Sequence, residues 1–486
     1  MERKAKIVAT LGPASAGEDV IARLFDAGVD VVRLNLSHGS HDDHRRMIRT
    51  VRQVARAQQR FVPVIVDLMG PRYRLGQLSG VRTLAAGEEV ALGEDADLPV
   101  EDPELLRHLR PGERVLVDNG LVELEVVELE QRRVRTRVRH GGPVATRKGI
   151  NLPDTDLPFT ISDKDRADVA LAVAEGADYV AVSFVGGPED LRAVREVVRG
   201  AGGLLPLVAK LERAKAMENL LETVREADAV MVARGDLGVE VPLHQVPVWQ
   251  KKIIGAGRRY GKPVIVATQM LESMTQHPRP TRAESSDVAN AVFDGADALM
   301  LSGETAAGAY PVEAVRTMAE IIVHAESYEA SRPAPEGRSA APRPLAPGPP
   351  EIRQLSERDV HLEIPEVVSA TAVRAAGWLA ARRIVAFSQG GFTARMIARY
   401  RPRPPITVFT PDPGVARRLQ LVWGARPLLM EQVHHHDEVV RVVDRLLLDS
   451  GLAAPGDTLV ILMGDPIDQR PLTNLMRIHR VRTHSD

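Results

Sequence analysis

From the N-terminus to about residue 330, short apolar runs alternate with segments of helical periodicity. The runs lie at 6–11, 29–34, 62–66, 179–182, 205–209, 229–233, 263–267 and 298–301. Each is almost continuously apolar, as expected of strands buried on both faces. Repeated strand–helix units imply a parallel α/β sheet, and eight parallel strands are the number that closes a (β/α)8 TIM barrel. Polar residues lie at or just past the end of every run: Thr10; Arg33, Asn35 and Ser37; Asp67; Ser183; Lys210 and Glu212; Asp236; Thr268; Ser302 and Glu304. Barrels of this kind build their active sites at the C-terminal strand ends, so a single polar ring is expected at the mouth.

The interval from 66 to 179 is far longer than a strand–helix connection needs. Within it, 90–92, 114–117, 121–130 and 133–138 alternate like short strands between Gly, Pro and Asp turns, which predicts an inserted β unit placed to act as a lid. Residues 331–350 (SRPAPEGRSAAPRPLAPGPP) lack apolar periodicity and read as a linker. Beyond them, a helical pattern at 369–381 and strand patterns at 383–387, 406–409 and 458–463 predict a further α/β unit. The expected domains are a barrel over 1–70 and 169–330, a small β-barrel lid over 71–168, the linker, and a C-terminal α/β regulatory domain over 351–486.

The richest chemistry lies in 204–212 (LLPLVAKLE) and 229–238 (AVMVARGDLG). Side chains two apart on a strand share a face, so Lys210 and Glu212 point the same way. Asp236 comes after the next run on a glycine-flanked turn that opens a helix, where backbone N–H groups favour anions. One ammonium and two carboxylates at neighbouring strand ends suit a divalent metal, an anionic substrate and developing charge. That points to phosphoryl transfer or enolate chemistry, the latter including a metal-dependent lyase; a structural Lys210–Glu212 ion pair is the plain alternative. Arg33, Asn35 and Ser37 share one face of their strand and its exit, and suit phosphate and a hard cation. Thr281 and Glu284 form a capping-box pattern at the start of a helix. Residues 388–393 (Ser388, Gln389, Gly390, Gly391, Phe392, Thr393) form a glycine-bearing loop between strand and helix, shaped to cradle phosphate. His434–His436 read better as a solvated loop than as a metal site.

Composition narrows the partners. Among 486 residues, 63 Lys+Arg nearly balance 65 Asp+Glu for a net charge of -2, which gives no field for nucleic acid or membrane. The absence of cysteine excludes thiolate metal sites and fits a cytoplasmic protein. No signal-peptide segment and no membrane-length apolar stretch is read. Aromatics are only 3%, so the core must be aliphatic.

With these residues in view, the chain closely resembles pyruvate kinases over essentially its full length. The matching stretches include KIVATLGPAS, VVRLNLSHG, VDLMGPRYRLG, RKGINLP, KLE, MVARGDLGVE, VIVATQMLESM, PTRAESSDVANAV and DGADALMLSGETAAGAYP. The resemblance implies transfer of the phosphoryl group of phosphoenolpyruvate to ADP, yielding pyruvate and ATP. It assigns Mg²⁺ (or Mn²⁺) to Glu212 and Asp236, charge stabilisation to Lys210 and a phosphoryl contact to Arg33. The substrate carboxylate falls to the Gly235 and Asp236 amides, the face of the enolpyruvate to Thr268 and a proton relay to Ser302. ADP would lie against Asn35, Ser37, His38, Arg74 and Lys148. A homotetramer with 280–292 at one interface, and a phosphorylated effector at 388–393, are likewise implied. The potassium shell would comprise Asn35, Ser37, Asp67 and Leu68. Here the family's potassium-dependent pattern of threonine and glutamate is replaced by Leu68 and Arg72. A fixed guanidinium can stand in for a monovalent cation, so activity without K⁺ is expected. Gly186 and Gly390 also replace an arginine and a serine common in the family, the second weakening the effector reading.

Overall fold

A computed structural model describes residues 2–331, 363–431, 436–465 and 473–482. Eight parallel strands close a barrel: β1 (Lys6–Leu11), β2 (Val31–Asn35), β3 (Val64–Asp67), β4 (Tyr179–Val182), β5 (Leu207–Leu211), β6 (Ala229–Ala233), β7 (Val264–Ala267) and β8 (Ala298–Leu301). Every one of these strands except the last residue of β2 is buried throughout, consistent with helices outside and packed side chains within. Val8, Val31, Ile65, Tyr179, Val208, Met231, Ile265 and Met300 belong to the inner cluster.

The strands at 62–66, 205–209 and 263–267 start later than their apolar runs, and proline is the reason. Pro63, Pro206 and Pro263 have no N–H to give to a ladder, so pairing begins at the following residue. Their carbonyls still accept from Val32, Val180 and Val230. The shift moves Lys210 from just beyond β5 to inside it.

A repeated device closes the N-terminal end. Asp30, Asp178, Asp228 and Asp297 each precede an even-numbered strand. Each carboxylate accepts from an N–H at the start of the odd-numbered strand before it, that of Ile7, second in β1, and those of Val64, Leu207 and Val264, first in theirs, at 2.8–3.0 Å. The amide of the same aspartate donates back to that residue's carbonyl.

The inserted unit, read from the sequence as a small β barrel, forms a seven-stranded sheet with a two-stranded sheet beside it. Its strands Val122–Leu129 and Arg133–His140 alternate buried and exposed positions, the pattern of a sheet with one wet face. The short strands Tyr73–Arg74, Arg82–Leu84, Leu98–Pro99, Gly142–Val144 and Gly149–Asn151 were not anticipated, being too brief to show periodicity.

The C-terminal unit is a five-stranded sheet. Ala425–Leu429, Ile406–Thr410, Arg383–Phe387 and Thr458–Met463 run parallel, and Leu475–Arg480 lies antiparallel at one edge. The two edge strands carry Arg426, Pro427, Arg477 and Arg480, which mask a strand signal. The helix expected at 369–381 spans Ile364–Trp378, with proline in its first turn. This unit docks on the base of the barrel. Leu421 is fully buried within the inner barrel cluster, Arg417 meets Asp178 at 2.7 Å, and Arg401 meets Asp297 at 3.0 Å.

Apart from Ser331, which ends the helix Pro311–Ser331, the expected linker lies outside the described residues. His434 and His435 do too, and His436 starts the helix His436–Asp449. No helix among the described residues is long and apolar enough to cross a membrane.

Candidate active site at the mouth of the barrel

Five strand ends interlock at the mouth. The Lys210 Nζ donates to Ser183 Oγ at 2.6 Å and lies 3.4 Å from Asp67 Oδ1 and 3.4 Å from Glu212 Oε2. Asp67, fully buried, holds Arg33 Nε at 2.6 Å, and the same guanidinium reaches Thr10 Oγ1 at 3.1 Å. Burial alone would neutralise Asp67, but Lys210 and Arg33 outweigh it and hold its carboxyl below the ordinary range. Burial likewise pulls on Lys210, and Asp67 with Glu212 overcomes it, leaving the ammonium above its usual value.

Glu212 differs from its neighbours. Its Oε1 accepts from the Phe184 N–H at 2.6 Å, whereas its buried Oε2 has no hydrogen-bond partner. Burial pushes this carboxyl up to about 7, Asp236 adds to the effect, and Lys210 opposes it. A buried anionic oxygen facing an ammonium at 3.4 Å without a hydrogen bond is costly unless a further positive partner is supplied.

Strand β6 passes directly into the helix Arg234–Glu240, whose first turn contains Asp236. Opposite it, Thr268 adopts φ +69°, an uncommon conformation for a β-branched residue. Several bonds keep it there. Its Oγ1 donates to the Ala267 carbonyl at 2.6 Å and accepts from the Gly235 N–H at 2.8 Å, while its carbonyl accepts from Arg234. The Gly235 amide, expected to be free for a substrate carboxylate, is therefore already engaged. Arg234 is anchored in turn by Asp287 at 2.6 Å. At the end of β8, the Ser302 N–H donates to Glu304, and the other oxygen of that buried carboxylate accepts from the Leu271 N–H. Glu304 thus ties two strand exits together and is not a free member of the polar ring.

The nucleotide and cation candidates lie nearby. Asn35 Oδ1 accepts from the Ser37 N–H at 3.1 Å, and His44 bonds the His38 carbonyl. Leu68 is buried beside Asp67, and its carbonyl accepts from Ser183 Oγ. Between the inserted unit and the barrel lies a cleft of about 270 Å³ lined by Arg72, Arg74, Lys148, Arg213, Asp236 and Glu240, among others. In it Lys148 pairs with Asp118 at 2.7 Å, and Arg74 donates to the Arg147 carbonyl. Glu240 accepts from Asn151 across the two units at 3.2 Å, and burial raises its carboxyl. Asp118, Arg213 and Glu240 were absent from the sequence-derived set; Arg213 follows KLE and Glu240 ends RGDLGVE, whereas none of the matching stretches contains Asp118.

The loop 388–393 lies in the C-terminal sheet, away from this mouth. Gly391 has φ +80° at the start of the helix Phe392–Ala398, and the Thr393 hydroxyl meets that of Thr473 at 2.7 Å.

Comparison with known proteins agrees with this architecture. The model of the pyruvate kinase barrel domain matches residues 2–315, and that of the pyruvate kinase alpha/beta domain matches 366–479. A pyruvate kinase of Mycobacterium tuberculosis is 43% identical, covering 99% of each chain. One of Corynebacterium efficiens is 42% identical over 99% of this chain and 98% of its own. A crystal structure of a pyruvate kinase from Cryptosporidium parvum superposes with a TM-score of 0.89 at 32% identity, covering 99% of this chain and 96% of that one. Matched along nearly its whole length in both sequence and fold, the chain belongs to the pyruvate kinase family.

Proposed function

We propose that the mouth transfers the phosphoryl group of phosphoenolpyruvate to ADP with Mg²⁺ and without a requirement for K⁺, releasing pyruvate and ATP. The observation that carries this reading is the unpartnered buried oxygen of Glu212 beside the Lys210 ammonium. The donor set suits a hard divalent cation. Glu212 and Asp236 offer two carboxylates, no cluster of three or more His, Cys, Asp or Glu forms among the described residues, and Mg²⁺ commonly completes its shell with substrate oxygens and water. Mn²⁺ has the same preference for oxygen. Glu212 and Asp236 would hold the metal, which would neutralise charge on the substrate oxygens when bound.

The side chains supply the remaining work. Lys210, fixed by Ser183 and Asp67, faces the charge that develops as the phosphoryl group leaves and an enolate forms. Arg33 is held at Nε and one amino nitrogen, which leaves the other free of partners among the described residues for a phosphoryl oxygen. Thr268, held rigidly at the rim, lies over the three-carbon unit, and Ser302 joins the path of the proton that converts enolate to pyruvate. The Asp236 amide, and the Gly235 amide if Thr268 releases it, receive the substrate carboxylate. Asn35, Ser37, His38 and Arg74 receive ADP, with Lys148 leaving Asp118 to join them.

Arg72 lines the same cleft as Asp236 and has no ion-pair partner among the described residues. Its charge therefore remains available near the substrate, where a family member carrying glutamate would need an added cation. The test is pyruvate formation from phosphoenolpyruvate and ADP with Mg²⁺ in buffers with and without K⁺. The expected result is turnover that changes less than about tenfold, equivalent to ~1.4 kcal/mol, when K⁺ and Na⁺ are withdrawn. Arg72→Glu should create K⁺ dependence. A larger loss in the unsubstituted protein contradicts the cation reading, and no pyruvate in any buffer contradicts the reaction. Further parts of the proposal are assembly as a homotetramer, phosphorylated-effector binding at 388–393 and a cytoplasmic setting.

A further inference from the structure

The chain leaves the barrel for the inserted unit after Gly70 and returns to it at Ser162, the N-cap of the helix Asp163–Ala174. One buried carboxylate holds both passages. Asp165 Oδ1 accepts from the Gly70 N–H at 3.2 Å, and Oδ2 accepts from the Ser162 N–H at 3.2 Å and its hydroxyl at 2.6 Å. Asp165 is only 2% exposed, so these bonds are shielded from competing water.

Gly70 links this point to the chemistry. It has φ +66°, and a Cβ placed on it would lie 2.9 Å from the Ser183 Cβ and 3.2 Å from the Phe184 ring. Its backbone thus lies directly against the Ser183–Phe184 turn. Ser183 accepts from Lys210, and Phe184, itself at φ +58°, donates its N–H to Glu212. A displacement at Gly70 cannot occur without moving the two groups that hold Lys210 and Glu212, because close-packed interiors transmit such shifts.

We propose that Asp165 is a positioning residue: it fixes both chain passages into the inserted unit and, through Gly70, sets the Ser183–Phe184 turn that presents Lys210 and Glu212. Movement of the inserted unit over the cleft is thereby coupled to the geometry of the charged pair. The inference rests on the proposed roles of Lys210 and Glu212 in phosphoryl transfer.

The test uses full-length protein and two readouts, steady-state turnover of phosphoenolpyruvate and ADP with Mg²⁺, and hydrogen–deuterium exchange of the peptide containing Phe184. Asp165→Ala should lower kcat by about 10- to 100-fold, the scale of a displacement near 1 Å in a catalytic group. It should also speed exchange at Phe184 by about tenfold, one pair of bonds having been loosened. Ser162→Ala removes the helix cap but keeps the Gly70 bond, so it should lower the thermal midpoint while leaving kcat and Phe184 exchange within about twofold. Asp165→Asn, which retains an acceptor for Gly70, should recover most of the activity. Gly70→Ala provides a second route should Asp165→Ala not fold; it should reproduce the losses at Phe184 without changing exchange in 163–174. Wild-type kcat and wild-type Phe184 exchange in Asp165→Ala, or in Gly70→Ala, overturn the proposal. Equal losses in Ser162→Ala also overturn it, since a helix cap alone would then explain them. Should the unsubstituted protein form no pyruvate, the reaction proposal fails, and exchange at Phe184 still decides the hinge.

Discussion

The two ends of the barrel use the same kinds of residue for opposite purposes. At the base, Asp178 gives one oxygen to the Val64 N–H and to Arg52 and the other to Arg417. Asp297 serves Val264, Trp423 and Arg401 in the same way. Both oxygens of each of these carboxylates are occupied, and Leu421 seals the interior. At the mouth, Glu212 keeps a buried oxygen unpartnered, while Thr268 and Phe184 sit at positive φ. Carboxylates with both oxygens paired suit a stabilising joint; a buried carboxylate oxygen without a partner persists where a ligand completes the set. Placing the polar groups at strand ends is common to both, so the pairing of the carboxylate oxygens is what separates them.

Substitutions should separate the ends in the same way. The largest effect is expected at Glu212→Gln, which keeps an acceptor for Phe184 and removes the buried charge. Turnover should drop by about a thousandfold, ~4 kcal/mol in the barrier, the scale for losing one electrostatic contact in a preorganised site. The thermal midpoint measured without divalent metal should hold or rise, because the carboxylate is unfavourable there when ionised.

The base should show the reverse. Asp297→Ala leaves Arg401 and the Val264 and Trp423 amides without their acceptor, and a loss of about 3 kcal/mol is expected from breaking such a buried set. Thermal unfolding should report it, while kcat well below the transition changes only slightly. A smaller stability loss, about 2 kcal/mol, is expected for Leu421→Ala, which opens a cavity in the inner barrel cluster without unpairing a charge. A base variant that cost more activity than stability would blur the distinction.

Much of this was legible in the chain. Barrel strands buried on both faces leave nearly unbroken apolar runs, and the polar residues at or just past the end of each run mark the mouth, so Arg33, Asp67, Ser183, Lys210, Glu212 and Thr268 were placed there together. The base was passed over. Asp30, Asp178, Asp228 and Asp297 recur just before strands, but an aspartate ahead of an apolar run is indistinguishable from an ordinary turn residue. Other features depend on contacts distant in sequence. The engagement of the Gly235 amide by Thr268, the use of Glu304 as a tie to Leu271 and the Lys148–Asp118 pair carry no local signature. Edge strands such as Ala425–Leu429 were missed because their proline and charged positions imitate loops.

The most direct test of the contrast between the ends is a paired measurement on Glu212→Gln and Asp297→Ala, recording kcat with phosphoenolpyruvate, ADP and Mg²⁺ alongside the metal-free thermal midpoint. The expected result is a crossed pattern: turnover lost and midpoint kept for Glu212→Gln, midpoint lost and turnover kept for Asp297→Ala. Near-normal turnover in Glu212→Gln, or a fall in its midpoint as large as that of Asp297→Ala, would contradict the account.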